Sequence, residues 1–240
     1  MENEKENKSE HKTQHKKPEI KYEILPKDYN NKNSLNFKII VLGDSGVGKS
    51  CLLNKAINNM FYENNKATIG FDFFDFNIKI FDTPIKIQIW DTCGQEAYNS
   101  LTANIFRNTS LAIIIYEIDS HESFEHIERW LQGIRTFSSP DTKIFLLGNK
   151  VDLKDKRKIT TEEAETYAKI NGFQFFREVS AKEEIQLQKK IFVEAAIVIY
   201  KDYLKYNKAN IIGENGKLHK RKKIKNKHKT CCYFLDSIFG

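Results

Sequence analysis

The apolar run Phe37-Lys38-Ile39-Ile40-Val41-Leu42 passes without a spacer into Gly43-Asp44-Ser45-Gly46-Val47-Gly48-Lys49-Ser50, and a helical pattern from Cys51 to Ile57 follows at once. Strand, glycine-rich loop and helix in that order leave few ways to fold. The loop must turn tightly between a buried strand and a helix, and its glycines allow backbone angles that other residues avoid. Successive N–H groups can then point inward at one anion, and the helix N-terminus behind them adds partial positive charge. Lys49 supplies a full charge for the outer phosphates, and the Ser50 hydroxyl a ligand for Mg²⁺. Ser45, Gly46, Val47, Gly48, Lys49, Ser50 and Cys51 are therefore expected to hold the phosphates of a nucleoside triphosphate.

The base is read about a hundred residues later. A second apolar strand, Lys143 to Gly148, ends in Asn149-Lys150-Val151-Asp152. The Asp152 carboxylate can accept hydrogen bonds from the ring N–H and the exocyclic amine of guanine. Adenine would leave that carboxylate unpaired, which is costly in a buried site. The stem of Lys150 can lie along the base plane. After a third apolar strand comes Ser180-Ala181-Lys182, a turn able to offer backbone N–H groups to the base carbonyl. Four residues alone are a weak signal; placed after a strand and followed by Ser-Ala-Lys, they indicate guanine.

Between these ends lies the chemistry. Lys86-Ile87-Gln88-Ile89-Trp90 alternates as a half-exposed strand and delivers Asp91-Thr92-Cys93-Gly94-Gln95-Glu96 to its carboxyl end. Asp91 is expected in the Mg²⁺ shell, the Gly94 N–H on the γ-phosphate, and Gln95 orienting the attacking water as the catalytic residue. Thr68, in Ala67-Thr68-Ile69-Gly70, brings a hydroxyl that can close over Mg²⁺ and the γ-phosphate. The metal set is thus Ser50, Thr68 and Asp91. One phosphate would tether both loops, and both would relax when it leaves.

The set GDSGVGKS, TIG, WDTCGQE, NKVD and SAK resembles the small GTPases of the Ras superfamily. Residues 69–73 (IGFDF) and 86–92 (KIQIWDT) are similar to the Rab branch. The resemblance runs from about residue 35 to about residue 205. It implies a GTP/GDP switch in vesicle traffic that hydrolyses GTP to GDP and phosphate, with Mg²⁺ accompanying the nucleotide. It also implies that Phe61 stacks on guanine, and that an exchange factor, a GTPase-activating protein and effectors are partners. There are departures. Cys93 stands where the family usually has Ala, and Ala97-Tyr98 follow Gln95-Glu96 where many Rabs carry Arg. Of the aromatic triad that Rab effectors read, Phe73 and Trp90 are present, but the third position falls on Ile105.

The expected fold class is α/β: a single P-loop GTPase domain with a mostly parallel six-stranded sheet and helices on both faces. Strand and helix patterns alternate along the chain. Leu111 to Tyr116 reads as a strand buried on both sides, and one antiparallel hairpin is expected to turn at Thr83-Pro84. Residues 1–34, rich in Glu, Lys and Asn, lack the apolar surface to fold alone and are expected to be a disordered extension. The domain is expected over 35–206 and a flexible tail over 207–240. No secretory h-region and no run long enough to span a membrane occur.

The chain carries a formal charge of +7, yet Lys217 to Lys229 alone holds eight Lys/Arg and no acid. The basicity is therefore local, and such segments are drawn to anionic leaflets by about 1 kcal/mol per residue. A nucleic-acid partner is the rival reading and is given less weight. Cys231-Cys232 follow and resemble the double-cysteine prenylation site of Rabs, although eight residues lie beyond them. Cys51 and Cys93 lie inside nucleotide loops, a cytosolic style of use in which no disulfide is expected. The expected location is the cytoplasm, peripheral on an endomembrane. The alternative is a GTP-binding scaffold with negligible turnover, or a non-lipidated GTPase acting through its basic tail.

Overall fold

Alternating burial along the apolar runs decides the layers. The computed structural model describes residues 20–61, 68, 70–94, 102–182 and 185–211. In chain order the elements are β1 (Tyr22–Ile24), β2 (Leu35–Leu42), α1 (Lys49–Leu53) with a π-helical turn (Asn54–Asn58), β3 (Phe71–Ile80), β4 (Thr83–Thr92), α2 (Thr102–Phe106), β5 (Leu111–Glu117), α3 (His121–Glu125), α4 (Ile127–Phe137), β6 (Lys143–Asn149), α5 (Thr161–Ile170), β7 (Phe175–Glu178) and α6 (Ile185–Ile211). The strands form one sheet in the order β1-β3-β4-β2-β5-β6-β7. From β4 to β7 every pairing is parallel, while β1–β3 and β3–β4 are antiparallel.

In β5, Leu111, Ile113 and Ile115 enter the core on one face, with α1 and the Phe192–Ala196 stretch of α6. Ala112, Ile114 and Tyr116 enter the core on the other, with Leu131 and Ile134 of α4 and Ala164 and Ala168 of α5. This two-sided burial is what the continuous apolar run requires. Helix starts follow local chemistry: the Ser123 N–H donates to the Ser120 hydroxyl and the Glu163 N–H to the Thr160 hydroxyl. The chain leaves β2 for α1 on one face of the sheet and β5 for α4 on the other. The carboxyl ends of these adjacent strands therefore open a crevice.

Four expectations need correction. The sheet has seven strands rather than six, because Tyr22–Ile24 pairs with β3 in the register Tyr22↔Ile80 to Ile24↔Ile78. That strand belongs to the segment expected to be unfolded. Neighbouring contacts hold it: the Asn77 side-chain amide donates to the Pro26 and Lys27 carbonyls at 3.0 and 2.9 Å, and Ile20 packs on the core. The hairpin turns at Phe81-Asp82, where Phe81 has φ 52°, and Pro84 lies inside β4 paired with Lys79. Pairing of β4 with β2 begins at Ile85, so Pro84 sits where β4 has a neighbour on one side only. Finally, α6 runs to Ile211, five residues into the expected tail.

Removing residues 1–34 instead of 1–19 is expected to lower stability by about 2–3 kcal/mol, through half-buried Tyr22 and Ile24 and the uncovered Asn77 amide. Urea unfolding of the two truncated chains reads the difference; equal midpoints would mean that β1 contributes nothing.

Candidate nucleotide-binding site

The carboxyl ends of β2, β4 and β6 bring four sequence-distant segments to one edge of the sheet. At the first, the phosphate loop is closed on itself by Lys49. Its Nζ donates to the carbonyls of Gly43 and Asp44, each at 2.8 Å. Lys49 is buried, and loss of water pulls its pKa down to about 8, against the opposing pull of Asp91 and Asp44. Gly48 has φ +93°, and a Cβ there would stand 2.4 Å from the Asn149 side-chain nitrogen. That close approach lets the Asn149 amide donate to the Val47 carbonyl at 2.8 Å, which ties the base-reading segment to the phosphate loop. The Asn149 Oδ1 is buried without a partner among the described residues, an acceptor left over for a ligand.

Ser50, Thr68 and Asp91, from three separate segments, meet at the mouth of this loop. The Ser50 and Thr68 hydroxyls are 2.8 Å apart, and Ser50 donates to Asp91 Oδ2 at 2.5 Å. Asp91 is 1 % exposed and its Oδ1 has no partner among the described residues. Burial pushes its pKa up to about 6, while the Ser50 hydroxyl and Lys49 pull the other way. Two hydroxyls and one carboxylate short of counter-charge suit a hard cation that takes oxygen ligands, and the set fits Mg²⁺. Among the described residues no group of three His, Cys, Asp or Glu is placed to hold a metal ion.

The loop after Asp91 lies against the phosphate loop. A Cβ on Gly94 would come within 2.2 Å of the Ser45 nitrogen and 2.4 Å of the Asp44 carbonyl carbon, so a larger residue does not fit this arrangement. The Cys93 N–H donates to the Gly70 carbonyl at 3.1 Å and joins this loop to the one carrying Thr68. The Thr92 hydroxyl anchors the strand end on the Val41 carbonyl at 2.7 Å. Neither Cys51 nor Cys93 is in a disulfide. Gln95 lies outside the described residues, as do Cys231 and Cys232.

On the base side, the Ser180 hydroxyl donates to Asp152 Oδ1 at 2.5 Å and accepts from the Lys182 N–H at 3.1 Å. One Asp152 oxygen is thus committed to the protein, which fixes how the other faces. Ala181 is buried between them. Gln188 of α6 donates to the Ser180 carbonyl and holds the turn down. The Lys150 ammonium pairs with Glu117, steering the Lys150 stem. Phe61 lies beside this turn, with the Lys182 Nζ 5.9 Å from its ring centroid. Phosphate-side and base-side residues are therefore gathered along a single crevice.

Two side chains that no motif singles out also reach the site. Asp44, inside the phosphate loop, accepts from Trp130 Nε1 at 3.1 Å and lies 2.6 Å from His126 Nδ1. His126 stands at the junction of α3 and α4. No spacing rule connects residues more than 80 positions apart, so only the fold discloses this clamp.

The sequence model of the Ras family matches residues 38–201. Among curated proteins, Ras-related protein RHN1 of Nicotiana plumbaginifolia is 41 % identical over 167 residues, covering 70 % of this chain and 82 % of that protein. Ras-related protein Rab5 of Nicotiana tabacum is 43 % identical over 164 residues, covering 68 % and 81 %. Ras-related protein Rab11B of the same plant is 41 % identical over 165 residues, covering 69 % and 75 %. The matched span contains every described residue of the crevice: this chain belongs to the Ras family and is a Rab-like small GTPase, an enzyme that hydrolyses GTP.

Proposed function

We propose that the chain works as a Mg²⁺-dependent GTP/GDP switch of vesicle traffic, peripheral on the cytoplasmic face of an endomembrane. The observation that carries this reading is the meeting of Ser50, Thr68 and Asp91 oxygens beside Lys49. A switch needs two loops that sense one phosphate, and Thr68 and Gly94 sit on two loops already joined through Gly70 and Cys93.

Each residue then has one task. Ser50, Thr68 and Asp91 would hold Mg²⁺, which would offset the negative charge of the phosphates. Lys49 turns from the loop carbonyls to the outer phosphates. Asp152 reads guanine while Ser180 holds it, Asn149 offers its free oxygen, and Phe61 flanks the base. Gln95 orients the attacking water. Position 45 is a serine and no arginine occurs in the phosphate loop, so turnover is slow alone. An arginine from a GTPase-activating protein raises such rates by about 10³- to 10⁵-fold.

Gln95→Leu is expected to leave GTP binding intact and to abolish stimulated turnover. Single-turnover hydrolysis with and without cell extract reads both; hydrolysis unchanged from the unaltered protein would remove Gln95 from this role. For membrane attachment, support comes from the basic run Lys217–Lys229 and from Cys231 and Cys232, as sites for prenyl or other lipid. Among the described residues no helix is long and apolar enough to cross a membrane. Phe73, half-exposed and edge-on to Trp90 at 4.7 Å, offers the effector surface.

A further inference from the structure

A second concavity lies away from the nucleotide crevice, towards the amino-terminal end of β2. It encloses about 780 Å³, within the usual range for small-molecule sites. Its floor is the β2–β4 pairing around Lys38 and Gln88, one wall is the segment Tyr29–Ser34, and the other runs from Asn104 to Ser110. None of the phosphate-, metal- or base-binding residues argued above lines it.

Its charge is one-sided. Lys32, Lys38, Lys86 and Arg107 line it, and among the described residues no Asp or Glu does. Lys86 is bridged to Asp75 at 2.8 Å on its outer side, an exposed pair worth little. Neither the Lys32 ammonium nor the Arg107 guanidinium has a partner among the described residues. Lys38 is fixed at the floor: it donates to the Ile105 and Arg107 carbonyls at 2.5 and 3.2 Å and sits 3.8 Å from the Trp90 ring centroid. It has carbonyl dipoles and a ring face for company but no counter-anion among the described residues, and desolvation pulls its pKa down to about 8. The remaining polar lining is mainly side-chain amides, among them Asn30, Asn104 and Asn108, which add neutral N–H donors.

We propose that this concavity binds a small ligand carrying two or more phosphoryl groups. Lysine ammoniums act as point charges suited to phosphate rather than as forks for a planar carboxylate. Each phosphoryl group brings about −1.5 to −2 charge at neutral pH, so two match Lys32, Lys38 and Arg107 together with Lys86, which is shared with Asp75. A bis-phosphorylated ring also fits the enclosed volume. The ligand chemistry is available from a soluble sugar polyphosphate or from a phosphoinositide headgroup.

The test uses the full chain loaded with GDP·Mg²⁺, so that the phosphate loop is filled and the basic tail is the same in every sample. Inositol hexakisphosphate is titrated by calorimetry against the unaltered protein and the Lys32→Glu/Arg107→Glu variant. Nucleotide content and Tm are measured alongside. The variant is expected to bind about tenfold more weakly or worse, with GDP content and Tm unchanged. Equal affinity in the two proteins, or none in the unaltered protein, overturns the proposal. Vesicles of phosphatidylcholine with 5 % phosphatidylinositol bisphosphate then separate the sources, each outcome upholding the site. A variant that binds these vesicles less than the unaltered protein, but phosphatidylserine vesicles equally, points to the headgroup; equal vesicle binding with loss of the soluble probe points to a free polyphosphate. Because GDP retention is read separately, failure here leaves the GTPase reading untouched.

Discussion

Asp152→Asn is expected to bind GTP and GDP about 10²- to 10⁴-fold more weakly than the unaltered chain, since two hydrogen bonds to a charged acceptor are worth about 1.5–3 kcal/mol each. The geometry states which way the new amide faces. Ser180 donates to Asp152 Oδ1 at 2.5 Å, so an asparagine keeps its oxygen there and turns its –NH₂ to the base. Guanine presents donors at that edge and meets donors. Xanthine replaces the exocyclic amine by a carbonyl, which the amide N–H can satisfy. The variant should therefore prefer xanthosine diphosphate to GDP, reversing the order of the unaltered protein. Competition of each nucleotide against a fluorescent analogue measures both; an unchanged preference would take Asp152 off the base.

Lys49→Ala should cost a comparable amount, about 10²- to 10⁴-fold in nucleotide affinity, because a buried ammonium meeting phosphate is a charge-assisted contact with little water to compete. Lys49 also gives the site a pH dependence. Its pKa in the free protein is lowered to about 8 by burial, and bound phosphate charge raises it again. Below pH 8 the free protein already carries the proton, and affinity is flat. Above pH 8 binding must take up that proton, so affinity falls by up to about tenfold per pH unit until the bound-state pKa is passed. Titrations at pH 7, 8 and 9 are expected to show this fall in the unaltered chain and none in Lys49→Ala. A flat profile in both would mean that Lys49 stays charged throughout.

Much of the crevice was legible because its chemistry is local. Gly43 to Ser50, Asn149 to Asp152 and Ser180 to Lys182 are runs of three to eight residues, each announced by the strand before it. The β5 run was legible for the same reason, since the six residues Leu111 to Tyr116, with no charged break, admit one environment. Asp44, His126 and Trp130 were not. Their contacts join positions 82 and 86 residues apart, and only the order of strands brings them together. Nor was β1, three residues among charges whose pairing is specified by the outer edge of β3 rather than by its own pattern. Pro84 misled because proline signals a turn on average, whereas Phe81 takes the left-handed backbone angle here.

The clamp on Asp44 bears on timing. With its carboxylate held between Trp130 and His126, the loop that will wrap the phosphates is already shaped by the helix layer behind it. The entropy of ordering that loop is lost when the chain folds, and not again when nucleotide arrives. Arrival would then need less rearrangement of this loop, and occupancy would depend more on how slowly nucleotide departs. A partner that leans on α4 could loosen the clamp without touching the crevice. Nucleotide release would then be controlled from the back of the domain.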